Sequence, residues 1–151
     1  MRYLLVDRIL EWQAGERILG LKSVTMSEDF LEFHFPRNPI MPGVLLLEAL
    51  AQLAGWLEAA SSDFRRWFLL QSVRKCMFYG FAIPGDAVEL EVRAQAGEDP
   101  SRRAFVGVCS VLRKRRVVAE FEGDVVPLED IEYPEDRKRA FQILTRSRAT
   151  T

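Results

Sequence analysis

The sequence predicts an α+β domain in which a curved antiparallel sheet wraps around one long central helix. The segment from Leu45 to Leu57 is apolar on nearly every face, and its only polar side chains are Glu48 and Gln52. A helix that is apolar all round is buried rather than laid on a surface. The chain on either side alternates apolar and polar residues in short runs, which is typical of strands. One buried helix needs one sheet to cover it.

Two strands are expected before the helix. The first covers residues 7–13, with one face that holds Val6, Arg8, Leu10 and Trp12. Ala14-Gly15 forms a turn, and residues 16–24 alternate again, so the two runs predict a hairpin. Prolines at positions 36, 39 and 42 exclude regular helix before Gly43. The helix is therefore expected over about residues 41–60.

Four strands are expected after the helix, over residues 68–78, 88–96, 104–112 and 117–126, and they are expected to form an antiparallel meander. We assign residues 1–128 to this domain. Residues 129–151 form a polar C-terminal tail, in which acidic residues 135–136 precede basic residues 137–139. This order of charges is typical of a short helix. Docking of that helix on the domain and fraying both remain open.

Composition argues against several classes of function. A formal net charge of −1 gives no general attraction to nucleic acid or to an anionic membrane. Glu48 and Gln52 interrupt the longest apolar segment, and the N-terminus lacks the pattern of a signal peptide, so we expect a cytoplasmic protein without a membrane span. One histidine and two cysteines cannot assemble a zinc-type ligand set, so we expect no metal and two reduced thiols. The sequence also lacks a Gly-x-Ser-x-Gly elbow and a glycine-rich phosphate loop.

The stretch from His34 to Val44 and the helix after it hold the candidate active-site residues. His34 is the only histidine in the chain, and histidine is the side chain whose unperturbed pKa lies near neutrality. Glu48 and Gln52 are four residues apart and share one helix face, so Gln52 can orient the carboxyl group. Burial should favour the protonated form of Glu48, which makes it a candidate acid.

Gly43 lies where the helix begins, and the first amides of a helix have no partners within it. They can bind a developing oxyanion, and glycine lets a substrate approach the backbone closely. Each candidate also has a purely structural interpretation. Glu48 and Gln52 can form a polar pair at a subunit interface, Gly43 can serve only to start the helix, and His34 can be a satisfied core histidine.

The runs His34-Phe35-Pro36, Pro39-Ile40-Met41-Pro42-Gly43-Val44, Glu48-Ala49 and Ala51-Gln52 closely resemble the signature of the β-hydroxyacyl-acyl-carrier-protein dehydratases of type II fatty-acid synthesis. Residues 4–10 and Ile83-Pro84-Gly85-Asp86 also resemble that family, so the resemblance covers residues 3 to 127. The resemblance implies the hotdog fold, in agreement with a sheet wrapped around a central helix.

The resemblance implies a role for each candidate residue. His34 matches the base that removes the α-proton of a 3-hydroxyacyl thioester, and Glu48 matches the acid that protonates the leaving hydroxyl. Gly43 matches the amide that polarises the thioester carbonyl, and Gln52 matches the partner of the carboxylate. Related enzymes that also isomerise the product carry Asp in place of Glu48, so the resemblance favours dehydration to the trans-2-enoyl product without isomerisation.

The resemblance also implies partners. Acyl carrier protein presents the substrate on its phosphopantetheine arm, and no separate cofactor is needed. Each active site is expected to use the histidine of one subunit and the carboxylate of the other, so a homodimer, or a larger assembly of dimers, is implied. A hotdog thioesterase and a non-catalytic acyl-carrier-binding subunit remain alternatives, although the presence of both His34 and Glu48 favours elimination.

Two positions differ from the family's usual pattern, because Phe33 and Arg37 stand where glycine is usual. These side chains can narrow the substrate tunnel or add charge near the carrier arm, so the acyl length and the pathway, housekeeping or specialised, stay open. We expect Arg37 to contact the acidic carrier or its arm. Four further cations are candidates for the same surface, with solvated surface charge as their alternative: Arg65, Arg66, Arg74 and Lys75.

Overall fold

The computed structural model describes residues 3–146 and has a six-stranded antiparallel sheet around one long helix, which confirms the predicted hotdog class of α+β fold. The strands are β1 (Arg8–Gln13), β2 (Arg17–Ser23), β3 (Arg66–Phe78), β4 (Ala87–Ala94), β5 (Arg102–Val111) and β6 (Lys114–Pro127). The helices are α1 (Gly43–Ser61) and α2 (Pro134–Leu144), with short 3-10 turns at Asp29–Leu31 and Leu128–Asp130. Residues 1–2 of the predicted domain and 147–151 of the predicted tail lie outside the described residues.

Helix α1 forms the centre of the core and contacts all six strands. Leu46, Leu50, Leu53 and Leu57 recur at helical spacing and are buried. Opposite them, aromatic rings from β3, β5 and β6 pack on one another at centroid separations of 4.9 to 6.0 Å. Helix α1 is long and apolar enough to cross a membrane, but 61% of its apolar window is buried inside the fold. It therefore has the character of a core helix.

The strand order is β1-β2-β4-β5-β6-β3, so the predicted meander is correct only for β4, β5 and β6. Strand β3 pairs with β6, and β4 pairs with β2 on its other side. Helix α1 explains this order, because its 19 residues extend roughly 28 Å and carry the chain across several strands spaced about 4.8 Å apart. In the described part of the chain, β3 is consequently an edge strand.

The predicted face of β1 is wrong, because the strand contains a bulge. The pairing of β1 with β2 shifts between Ile9 and Glu11, which leaves Leu10 without a partner residue. Ile9 and Trp12 pair with Gly20 and Ile18, which share one face of β2, so Trp12 lies on the face of Ile9 and not on that of Arg8. A single extra residue reverses the alternation of faces, and the sequence pattern alone does not reveal it.

A second carboxyl group on α1 lies just beyond the segment in which Glu48 and Gln52 are the only polar residues. Glu58 is only 2% exposed. Its two carboxylate oxygens lie 3.2 Å from Nη2 of Arg66 on β3 and 3.3 Å from Nε of Arg103 on β5. Two guanidinium groups therefore compensate for the buried charge, and we assign Glu58 a structural role.

Removing both arginines that pair with Glu58 is expected to destabilise the fold. The double variant Arg66→Met, Arg103→Met leaves the buried carboxylate without a partner, which should cost about 3 kcal/mol or more of unfolding free energy. Urea denaturation measures this loss. The control is Arg74→Met, which breaks an exposed ion pair with Glu122 and should cost about 1 kcal/mol or less. Equal stability of the two variants would contradict the structural role of Glu58.

Helix α2 docks on the domain rather than fraying. Phe141 is buried and packs against Trp12 and Phe64, with ring centroids 5.9 and 5.4 Å away. The guanidinium of Arg137 lies over Trp56 and Trp67, at 5.3 and 4.5 Å from their centroids. Aromatic and cation–π contacts thus fix α2 to α1 and to the start of β3.

Candidate functional site

His34 lies in a loop that is closed by its own backbone. The amide of Ile40 donates to the carbonyl of His34 over 2.8 Å, and Phe35 and Asn38 exchange two backbone hydrogen bonds of 3.0 Å. Nδ1 of His34 lies 2.9 Å from the carbonyl oxygen of Ile40. A carbonyl can only accept, so Nδ1 carries a proton, and in the neutral ring the lone pair is on Nε2. Nε2 has no hydrogen-bond partner within residues 3–146, which leaves it available as a base.

Gly43 begins α1 directly after Pro42. Among the residues that the structure describes, no backbone or side-chain acceptor meets the amides of Gly43 and Val44, as expected for a first helical turn. A Cβ atom on Gly43 would lie 2.5 Å from the ring of Phe78 on β3. A larger residue here would displace the Phe78 ring, so glycine also has a packing role, whether or not its amide binds a substrate oxygen.

The expected hydrogen bond between Gln52 and Glu48 is present. Nε2 of Gln52 donates to Oε1 of Glu48 over 3.0 Å and to the carbonyl of Tyr3 over 2.8 Å. Oε1 of Gln52 accepts from the amide of Leu5 over 3.0 Å. Gln52 thus orients the carboxyl group and fastens the N-terminal segment to α1. Full burial of Glu48 is not found in the single chain, where this side chain is half-buried.

Glu48 and Gln52 line a cavity of about 720 Å³ between α1, the N-terminal segment and α2. Trp56 and Trp67 line it as well, and Glu48, Gln52 and Trp56 recur every four residues along one face of α1. Pockets of roughly 300–1,000 Å³ are typical of small-molecule sites. The four-residue spacing could have identified Trp56 from sequence, whereas nothing local marks Trp67 as part of this wall.

The single chain does not join all of the predicted site residues. Within residues 3–146, no hydrogen bond connects His34 to Glu48, and neither His34 nor Gly43 lines the cavity that Glu48 faces. The described residues also contain no group of three His, Cys, Asp or Glu side chains placed to hold a metal. The arrangement offers a base in one loop and an oriented carboxyl group in a separate cavity.

Arg37 is exposed in the loop that holds His34, and it forms no ion pair within the described residues. Two of the other predicted cations are engaged within the chain, since Arg66 pairs with Glu58 and Arg74 pairs with Glu122 at 2.9 Å. These pairings favour a structural role for Arg66 in particular. Arg37, Arg65 and Lys75 are thus the exposed members of the predicted set that form no ion pair within the described residues, and Arg37 alone lies in the loop of His34.

The two thiols have the character of structural residues. Burial raises the pKa of Cys109, with a smaller contribution from Cys76, and burial also raises the pKa of Cys76. Sγ of Cys109 lies 3.7 Å from the carbonyl oxygen of Leu46 in the core. A thiol with a raised pKa stays protonated at neutral pH and is a poor nucleophile.

Comparison with known proteins relates the chain to a family. A profile of the FabA-like domain matches residues 1–129. The 3-hydroxyacyl-(acyl-carrier-protein) dehydratase FabZ of Caldanaerobacter subterraneus subsp. tengcongensis is 48% identical over 91 residues, which are 60% of this chain and 64% of that protein. FabZ of Geobacter metallireducens is 45% identical over 95 residues, which are 61% of this chain and 63% of that protein. The match thus spans just under two thirds of the length of these relatives.

Solved structures share the fold at low sequence identity. The protein smu.793 from Streptococcus mutans UA159, bound to acetyl CoA, has a TM-score of 0.65 and 12% identity over 84% of this chain and 94% of that one. The dehydratase heterocomplex ApeI:P from Xenorhabdus doucetiae has a TM-score of 0.57 and 17% identity over 76% of this chain and 91% of that one. At such identities the likeness concerns the fold alone. Since the profile matches well over half of the chain, the protein belongs to the FabA-like domain family.

Proposed function

We propose that this protein dehydrates 3-hydroxyacyl-acyl-carrier-protein to trans-2-enoyl-acyl-carrier-protein in fatty-acid or related acyl-chain biosynthesis. The observation that carries the proposal is that one FabA-like chain contains both a histidine with an available Nε2 and a carboxyl group oriented by Gln52. The names of the FabZ relatives support it. The reaction needs no cofactor, since the base and the acid are side chains, and we expect it to take place in the cytoplasm.

Elimination of water needs a base at the α-carbon and an acid at the β-hydroxyl. Nε2 of His34 removes the α-proton, and the electron pair of that bond forms the Cα–Cβ double bond. The C–O bond at the β-carbon breaks as Glu48 protonates the departing hydroxyl, which leaves as water. One proton is thus taken up by His34 and one is given by Glu48, so a proton must return to Glu48 before the next turnover.

The start of α1 has a role in the same step. Negative charge develops on the thioester oxygen while the α-proton leaves. We propose that the amide of Gly43 donates to this oxygen, because the amides of Gly43 and Val44 have no acceptor within the described residues and lie at the positive end of the helix dipole.

We also propose that two chains share each active site. A single chain keeps His34 apart from the cavity of Glu48, and strand β3 has an unpaired edge within the described residues. Large apolar side chains are exposed along β3, namely Leu69, Val73, Met77 and Phe78. Exposed apolar edge strands tend to pair with another chain. We propose that a homodimer forms through β3 and covers them, and that His34 of one chain acts with Glu48 of the other.

The proposed reaction can be tested with purified protein and 3-hydroxyacyl thioesters of pantetheine. A rise in enoyl absorbance without release of free thiol is expected. Thiol release without enoyl formation would instead indicate a thioesterase. Binding of acyl carrier protein with neither product would indicate a non-catalytic subunit. A panel of carrier-linked substrates from short to long would then define the acyl-length preference.

Charge reversal at Arg37 is expected to weaken recognition of the carrier. Arg37→Glu should raise KM for the carrier-linked substrate more than for a pantetheine thioester, because a phosphate or an acidic carrier is a natural partner of arginine. The difference should shrink with added salt, since the Debye length falls from ~10 Å at 0.1 M to ~3 Å at 1 M. Lys138→Glu on α2 serves as a control at another exposed cation. Equal effects on both substrates would place Arg37 in the acyl pocket instead.

A further inference from the structure

Helix α2 lies beyond residues 1–129, which match the FabA-like domain, yet it forms one wall of the cavity that contains Glu48. Ala140, Ile143 and Leu144 line the cavity and have the i, i+3, i+4 spacing of a single helix face. The facing wall is the surface of α1 that carries Glu48, Gln52 and Trp56. An element outside the matched region therefore lines the cavity of the carboxyl group proposed as the acid.

Several contacts hold α2 against α1 and the start of β3. Arg137 lies over Trp56 and Trp67, and its Nη2 also donates to Glu132 over 3.1 Å. Gly55 allows this arrangement, since a Cβ atom there would lie 2.3 Å from the ring of Trp67. Phe141 anchors the next turn of α2 in the core. The position of the wall relative to Glu48 is thereby determined.

The lining of the cavity fits an uncharged chain. Its apolar side chains come from the N-terminal segment, from α1 and β3, and from α2, and include Val6, Trp56, Trp67, Ala140, Ile143 and Leu144. The charged side chains at the α2 wall pair with one another, Arg137 with Glu132 at 3.1 Å and Arg139 with Asp136 at 3.8 Å. No strong net charge of one sign is left on this wall to favour a charged ligand.

We propose that α2 is the specificity-determining wall of the acyl pocket and limits the length of the chain that can bind. The acyl chain runs from the reacting carbons at Glu48 into the cavity between the N-terminal segment and the face formed by Ala140, Ile143 and Leu144. This inference rests on the proposed function, because it identifies the ligand of the cavity with the substrate of that reaction.

The test is Ala140→Phe, which adds a ring to the wall, with Gln142→Phe as the control because Gln142 is exposed and does not line the cavity. Calorimetry measures binding of unreactive acyl-pantetheine amides of increasing chain length. Wild-type affinity should rise by up to ~4-fold for each methylene that is buried. In Ala140→Phe the rise should stop at a shorter chain, with long chains bound about tenfold more weakly and short chains unchanged. Gln142→Phe should follow the wild type.

Ile143→Ala has the opposite effect on the size of the pocket, because it removes side-chain volume from the wall. Affinity should then continue to rise up to longer acyl chains than in the wild type. The proposal is overturned if wild-type affinity does not depend on chain length, or if Ala140→Phe and Ile143→Ala both keep the profile of Gln142→Phe. Binding of the amides requires no turnover. If the wild type shows the length dependence but forms no enoyl product, the proposed reaction is refuted. In that case α2 is still the wall of an acyl-binding site.

Discussion

His34→Ala is expected to slow dehydration by about two to four orders of magnitude while the fold stays intact. The half-buried imidazole has one hydrogen bond, to the carbonyl of Ile40, so its removal should disturb the structure little. No other histidine can replace it as a base. The initial rate of enoyl formation gives the loss, and circular dichroism with an unfolding midpoint verifies the fold. Near-wild-type turnover by a folded variant would exclude His34 as the base.

Glu48→Gln is expected to produce a loss of similar size, about two to four orders of magnitude in kcat. The amide has nearly the same shape as the carboxyl group but cannot protonate the departing hydroxyl. Glu58→Gln makes the same substitution on the same helix, at a buried carboxylate that pairs with two arginines, and should leave kcat close to the wild type. If the two variants lost activity equally, the decrease would reflect general damage to α1 rather than loss of an acid.

The fold class could be predicted because its main determinant is local. The apolar character of α1 over 19 residues requires a covering sheet whatever the order of the strands. The order of the strands depends on where α1 ends relative to the sheet, and for this reason the predicted position of β3 was wrong. The bulge at Leu10 was not predicted, because a single unpaired residue does not change the composition of the strand.

The candidate site could be predicted only where it depends on residues that are close together in the sequence. All four proposed catalytic and supporting residues lie within 19 positions of one another, and the hydrogen bond from Gln52 to Glu48 follows from helical spacing. The walls of the cavity come from distant segments. The contact between Trp67 on β3 and Arg137 on α2 forms only through tertiary packing. The sequence of the tail alone therefore does not predict that α2 docks, or that it lines the cavity of Glu48.

We expect His34 of one chain to act together with Glu48 of another, and activity in a mixed dimer distinguishes this arrangement from a site built within one chain. His34→Ala and Glu48→Gln chains with different affinity tags are co-expressed, and heterodimers are isolated through both tags. Each heterodimer then has one site with both residues intact and one with neither. We expect these heterodimers to regain up to about half of wild-type activity, because one of their two sites is intact, although each variant alone is slower by about two to four orders of magnitude. Verified heterodimers that stay as inactive as the two parent variants would contradict a shared site.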